Sequence, residues 1–336
     1  MATLTHDTVA PTVTPRLGSG LAFALVASAS FGLSGSLGRG LMDLGWTAGA
    51  ATLVRVAIAA AVLLIPGIVA LRGRWELVAR SWATIVAYGA FAVAGAQLFY
   101  FMAVQHLPVS VALLIEYLAP VVVVLFMWLR HGHRPTRLTL GGAGIAFAGL
   151  VLLLDVLGGG EIDLVGIAWA LGAMVGASVY FILSGDDSNG LPPLTLAAGG
   201  MLSALTILSI AAVTGIVPIA FATGTVQFVP FAAPWWAVVA VLGVVTAGVS
   251  YVAGIAANRR LGSRLGSFVA LTEVLAAALF AWFLLGQVPG PMQIGGALLV
   301  VAGVIVVKLG ERPAESPVES VLEPPAVTDP PAPVAV

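Results

Sequence analysis

Polar residues are so sparse along this chain that its pattern is read from the interruptions. Cutting at charged, Pro and Gly punctuation leaves ten apolar runs, roughly 18–38, 47–71, 81–104, 108–130, 137–157, 163–184, 192–216, 234–257, 262–285 and 291–309. Each comes close to or passes the ~20 residues that a helix needs to cross a bilayer. Lipid offers no partner to backbone N–H and C=O groups, so continuous runs of this length predict helices. A transmembrane barrel would show short alternating segments instead. The expected fold is an all-α integral membrane protein with ten transmembrane helices.

Composition supports this. Of the 336 residues, 60% are hydrophobic and 9% charged, where a soluble domain carries about 25% charged residues. Mean hydropathy is +1.08. A net charge of −1 gives no footprint for nucleic acid. The absence of Cys excludes disulfides, thiolate zinc sites and cysteine nucleophiles. The single lysine, Lys308, and the lack of G-x-x-x-x-G-K-[S/T] exclude a Walker ATPase. No cofactor is expected.

Basic residues set the orientation. Ten spans put both termini on one side. That side collects Arg16, Arg72, Arg74, Arg80, Arg130, Arg134, Arg137, Arg259, Arg260, Arg264, Lys308 and Arg312, which is 12 of the 14 basic residues. The other side holds Arg39, and Arg55 falls inside the second span. This asymmetry predicts that both termini are cytoplasmic. The first apolar run continues past Ala27-Ser28-Ala29 behind a barely basic leader, so no cleaved signal is expected. Residues 1–16 read as a cytoplasmic tail. Residues 311–336, with seven prolines and five acids, read as a disordered cytoplasmic tail. The outer stretch 217–234 is apolar enough to lie along the membrane interface, with Trp235 and Trp236 as an aromatic anchor.

The ten runs divide into two units of five, 17–157 and 158–310. GLAFALVASAS (20–30) resembles GIAWALGAMVG (166–176), VSVALLIEYLAPVVVVLFMWL (109–129) resembles GSFVALTEVLAAALFAWFLLG (266–286), and GGAGIAFAGLVLL (141–153) resembles GGALLVVAGVIVV (295–307). The matches recur in the same order. Because five is odd, the second copy must insert upside down, giving two inverted five-helix repeats. Superposing the copies places Glu116 on Glu273. At ~1.5 Å rise per residue both carboxyls fall well inside the hydrocarbon layer.

With its two five-span units, Arg55 in LVRVAIAAA, and the paired fourth and ninth spans, the chain resembles the EamA family of the drug/metabolite transporter superfamily over about residues 17–310. The string VSVALLIEYLAPVVVVLFMWL is similar to the amino-acid exporter branch, known for threonine and homoserine efflux. The resemblance implies secondary transport of a small metabolite, commonly outward, across a bacterial inner membrane. Two departures stand out: Val274 occupies a position where proline is often found, and Gln287 one where many members have glutamate.

Arg55, Glu116 and Glu273 are the charges expected deep in the bilayer, where each costs roughly 2.5–3.5 kcal/mol on insertion scales unless partnered. Asp155 is expected near the outer end of its span. Arg55 and Glu116 fall at equal depth, which allows either a structural ion pair between helices or a transport site that Arg55 tunes. Glu273 has no basic partner in its own unit. Burial disfavours the charged form of such a carboxyl. It could carry protons, or stay neutral and hydrogen-bonded. Gln97, Tyr100, Tyr117, Tyr180, Tyr251 and Asn258 are candidates to line a cavity, or else to pack helices. Glycines 141, 142, 144, 149, 295, 296 and 303 read as packing surfaces of the fifth and tenth helices. His106, His131 and His133 read as loop residues, with no metal site.

The expected function is proton-coupled export of a small polar metabolite by alternating access, with substrate, protons and the bilayer as partners; a homodimer is compatible with it. The alternatives are a membrane scaffold or receptor, which would need larger polar loops, and an intramembrane enzyme. H-E-x-x-H and G-x-S-x-G are absent, and no histidine falls inside a span, so no catalytic constellation is legible.

Overall fold

The computed structural model describes residues 14–119, 121–122, 136–153, 163–185, 190–270 and 272–310. The first half contains α1 (Thr14–Leu44), α2 (Ala48–Leu71), α3 (Trp75–Arg80), α4 (Trp82–Ala87), the π-helix π1 (Tyr88–Gly95), α5 (Ala96–His106), α6 (Val109–Glu116) and α7 (Arg137–Leu153). The second contains α8 (Leu164–Gly185), α9 (Pro193–Val213), α10 (Trp235–Gly243), the π-helix π2 (Val244–Val249), α11 (Ser250–Ala270), α12 (Thr272–Leu285) and α13 (Pro291–Gly310).

Among the described residues, six helical segments are long and apolar enough to cross a membrane: Gly18–Leu44, Ala48–Leu71, Trp82–His106, Leu164–Ser184, Pro193–Val213 and Trp235–Leu261. Arg137–Leu152, Thr272–Leu285 and Pro291–Val307 are shorter apolar helices. The expected fourth span, 108–130, lies only partly within the described residues, and Asp155, His131, His133 and the tail 311–336 lie outside them. The helices turn large apolar side chains outward, among them Ile65, Val69, Phe147 and Leu275. Water penalises such a surface and hydrocarbon accepts it.

The two halves interleave. α1 packs on α11 and α12, α2 on α9, α5 on α8, and α7 on α13. The last pair shows what drives packing where lipid removes the hydrophobic incentive. A Cβ added at Gly142 would meet Val307 N at 2.6 Å, one at Gly149 would meet Val300 N at 2.6 Å, and one at Gly303 would meet Ala146 N at 2.4 Å. The absent side chains let the two backbones touch. Gly141, Gly144 and Gly295 meet nothing within 4 Å, so only part of the expected glycine surface packs.

Several expectations are corrected. The fold is not purely helical: β1 (Thr225–Gln227) pairs antiparallel with β2 (Ala232–Pro234). The stretch 217–234, expected along the interface, also makes contacts that the sequence alone does not suggest. It caps the helix ends, because its backbone carbonyls find donors there. Trp46 Nε1 donates to Ala222 O at 2.7 Å, and Thr47 Oγ1 donates to Pro218 O at 2.8 Å. Val229 N donates to Leu284 O at 2.9 Å. Of the two expected anchors, Trp236 is exposed, but Trp235 packs on Trp46 with ring centroids 5.9 Å apart. α1 starts at Thr14 and ends at Leu44, overrunning 18–38 at both ends and overlapping the tail 1–16. The break expected at 258–261 is absent. α11 runs through it to Ala270, since NRRLGSRL holds no proline to stop a helix.

At one end of the bundle, Asp163 caps α8 by accepting from Gly166 N at 2.9 Å. It also pairs with His106 Nδ1 at 2.9 Å, joining the two halves. The Gly166 N–H, and secondarily His106, hold the Asp163 carboxyl below the ordinary range.

Candidate functional site

Glu116 sits at an interruption of its helix. α6 ends at Glu116 and is followed by a turn at Tyr117–Leu118, where Leu118 N bonds Ile115 O in the tighter i→i+3 pattern. The sequence supplies the reason: in an α-helix the carbonyl of residue 116 would accept from the N–H of residue 120, and Pro120 has none. In the second half, the described residues are helical up to Ala270 and again from Thr272. Thr272 Oγ1 donates back to Val269 O at 2.6 Å. Glu116 ends α6, where the helix field favours a cation.

Tyr117 Oη donates to Glu273 Oε2 at 2.6 Å, tying one half to the other. Glu273 is thus partnered by a phenol from the opposite half, a contact that separate readings of each span do not supply.

Around this contact lies a cavity of about 630 Å³, its open mouth included. Glu116, Glu273, Arg55, Gln97, Tyr100, Tyr117, Tyr180 and Tyr251 all line it, together with Phe31, Ser34 and Phe181. Of the candidates named from sequence, Asn258 does not. Its amide donates to Ser184 Oγ at 3.3 Å, holding α11 against α8.

Arg55 is 2% exposed. Its Nη2 donates to the Thr246 carbonyl of π2, and its guanidinium stands 5.5 Å from the centre of the Phe101 ring. No ion pair within 4.0 Å joins it to Glu116, so of the two readings left open by the sequence the direct clamp is not formed. The guanidinium is instead engaged by a backbone carbonyl in an irregularly wound segment. Among the described residues, Arg55 Nε has no hydrogen-bond partner.

The first half answers in kind. Tyr251 Oη donates to the Ala92 carbonyl of π1 at 3.1 Å and accepts from Gln97 Nε2 at 3.0 Å. Each π-helix thus presents a carbonyl to a polar side chain across the bundle. Such segments recur at functional sites because their widened turn loosens the regular ladder. Among the described residues, Gln97 Oε1 has no partner. The aromatic wall is continuous: Tyr251 meets Phe31 edge-on at 5.0 Å and Tyr180 at 5.7 Å. Two glycines make room for it. A Cβ at Gly35 would lie 2.3 Å from Tyr100 Oη, and one at Gly254 would lie 2.5 Å from Tyr180 Oη. Sequence reading missed Phe31, Ser34, Phe181 and both glycines; one apolar or small residue among dozens in a membrane helix carries no distinguishing signal.

An apolar-sheathed helical bundle with charged and polar side chains turned into a central cavity defines a multi-pass membrane protein. A sequence model of the EamA-like transporter family matches residues 18–155 and, a second time, residues 164–309. The chain belongs to that family, whose members are membrane transporters of the drug/metabolite type. No curated protein matches the chain. A solved crystal structure is similar in fold, with a TM-score of 0.59 and 23% identity over 86% of this chain and 96% of that one.

Proposed function

We propose that the protein is a ten-span secondary transporter with both termini cytoplasmic. Its two inverted repeats, 17–157 and 158–310, rock about the central cavity to export a small zwitterion across a bacterial inner membrane. An amino acid such as threonine or homoserine is the proposed substrate. The observation that carries this reading is the convergence of Glu116, Glu273 and Arg55, from both halves, on one cavity. Arg55 Nε and Gln97 Oε1 lack partners among the described residues, and a buried polar group without a partner is costly. A substrate carboxylate suits the first and a substrate ammonium the second. The C-terminal end of α6 at Glu116 is a second place suited to an ammonium. Glu116 and Glu273 are the proposed proton carriers, since each takes up charge or releases it according to which side water enters from.

The test is uptake into proteoliposomes under an imposed pH gradient, screening amino acids. Glu116→Gln and Glu273→Gln are each expected to lose at least tenfold in gradient-driven uptake. If both variants transport like the parent and keep its pH dependence, the carboxylate mechanism is wrong.

A further inference from the structure

On the outer surface of the bundle, away from the central cavity, a second concavity of about 830 Å³, open side included, is lined by α1, α2, π2 and α11. Its walls are apolar, with Phe23 and Val26 facing Val62 and Val252. The floor is Gly248, where an added Cβ would find its nearest neighbours only at 3.7 Å and beyond. Flanking Phe23 and Val62 are exposed, so the groove opens toward hydrocarbon. One end is marked by a charge: the Arg260 guanidinium lies 4.3 Å from the centre of the Phe23 ring. Arg260 is exposed, and among the described residues no carboxylate lies within 4.0 Å of it.

We propose that this groove holds one acyl chain of an anionic phospholipid, with the lipid phosphate on Arg260. Length supports it. From Gly248 to Arg260 the helix rises about 18 Å, close to the depth of one leaflet of a hydrocarbon core about 30 Å thick. The groove therefore starts near the bilayer midplane and reaches its cation where headgroups begin. Charge supports it as well, because a guanidinium pairs with phosphate oxygens in a two-pronged geometry. The shape supplies what a flat helix surface lacks, which is a wall on three sides of one chain.

The experiment is native mass spectrometry of the full chain released from mixed phosphatidylglycerol and phosphatidylcholine nanodiscs. The parent should retain one lipid, with phosphatidylglycerol preferred about fivefold, the worth of a single arginine at an anionic surface. Arg260→Gln should retain lipid without the preference, and Arg74→Gln should keep the preference. Ala22→Trp places a bulky ring on an exposed groove position and should retain neither lipid while staying monodisperse. Equal retention of both lipids by the parent, or a parent-like Arg260→Gln, would overturn the proposal.

Discussion

Tyr117 and Glu273 are 156 positions apart in the chain and 2.6 Å apart in the fold. Tyr117 stands at the turn that ends α6, so the hydrogen bond anchors that turn to the opposite half. Tyr117→Phe keeps the ring and removes the donor. Such bonds between membrane helices are worth about 0.6–1.7 kcal/mol. A melting temperature lowered accordingly is expected, together with a displaced pH profile of uptake. An unchanged profile would separate this bond from proton handling.

Arg55 hydrogen-bonds a carbonyl in π2 and forms no ion pair with Glu116. Arg55→Ala is expected to reduce uptake at least tenfold, and Arg55→Ala/Glu116→Gln to be no gentler. Were the two charges a mutual clamp, the double variant would recover part of the loss. Comparing the purified yield and uptake of the two variants decides the matter.

The pair α7 and α13 packs backbone on backbone at Gly303. Gly303→Leu should destabilise the protein by about 1–3 kcal/mol or more, the usual penalty of overpacking. Gly295→Leu, on the same helix but with nothing within 4 Å, should leave the melting temperature nearly unchanged. Thermal denaturation in detergent reads both.

Asp163 gives a pH-dependent contribution with a definite sign. Its carboxyl is held below the ordinary value of 3.8 by Gly166 N and His106. A depressed carboxyl stabilises the fold above its ordinary value, and that contribution is lost as pH falls through its lower folded value. Asp163→Ala should therefore melt below the parent at neutral pH, and the gap should close on acidification below about pH 4. A gap that persists there would assign the contact to packing alone.

Much of the site was readable because membrane helices make polar residues conspicuous. Glu116, Glu273, Arg55, Gln97 and four tyrosines stood out against apolar neighbours, and all eight line one cavity. Their partners were not readable. The Thr246 and Ala92 carbonyls depend on π winding, and sequence periodicity does not distinguish a π turn from an α turn in so apolar a run. The hairpin at 225–234 was hidden because each strand is three residues long, too short for the alternation that reveals a strand. Asn258 shows the converse limit, since a polar residue in a span can simply tie two helices together.

The two wide-wound stretches, π1 and π2, fall in the third segment of each half. A helix returns to its preferred winding by letting one residue of register go, which turns everything beyond that point. Relaxing one stretch while its counterpart stays wide would make the halves unequal. The carbonyl that each stretch offers to the other side of the bundle, Ala92 to Tyr251 and Thr246 to Arg55, would swing away with it.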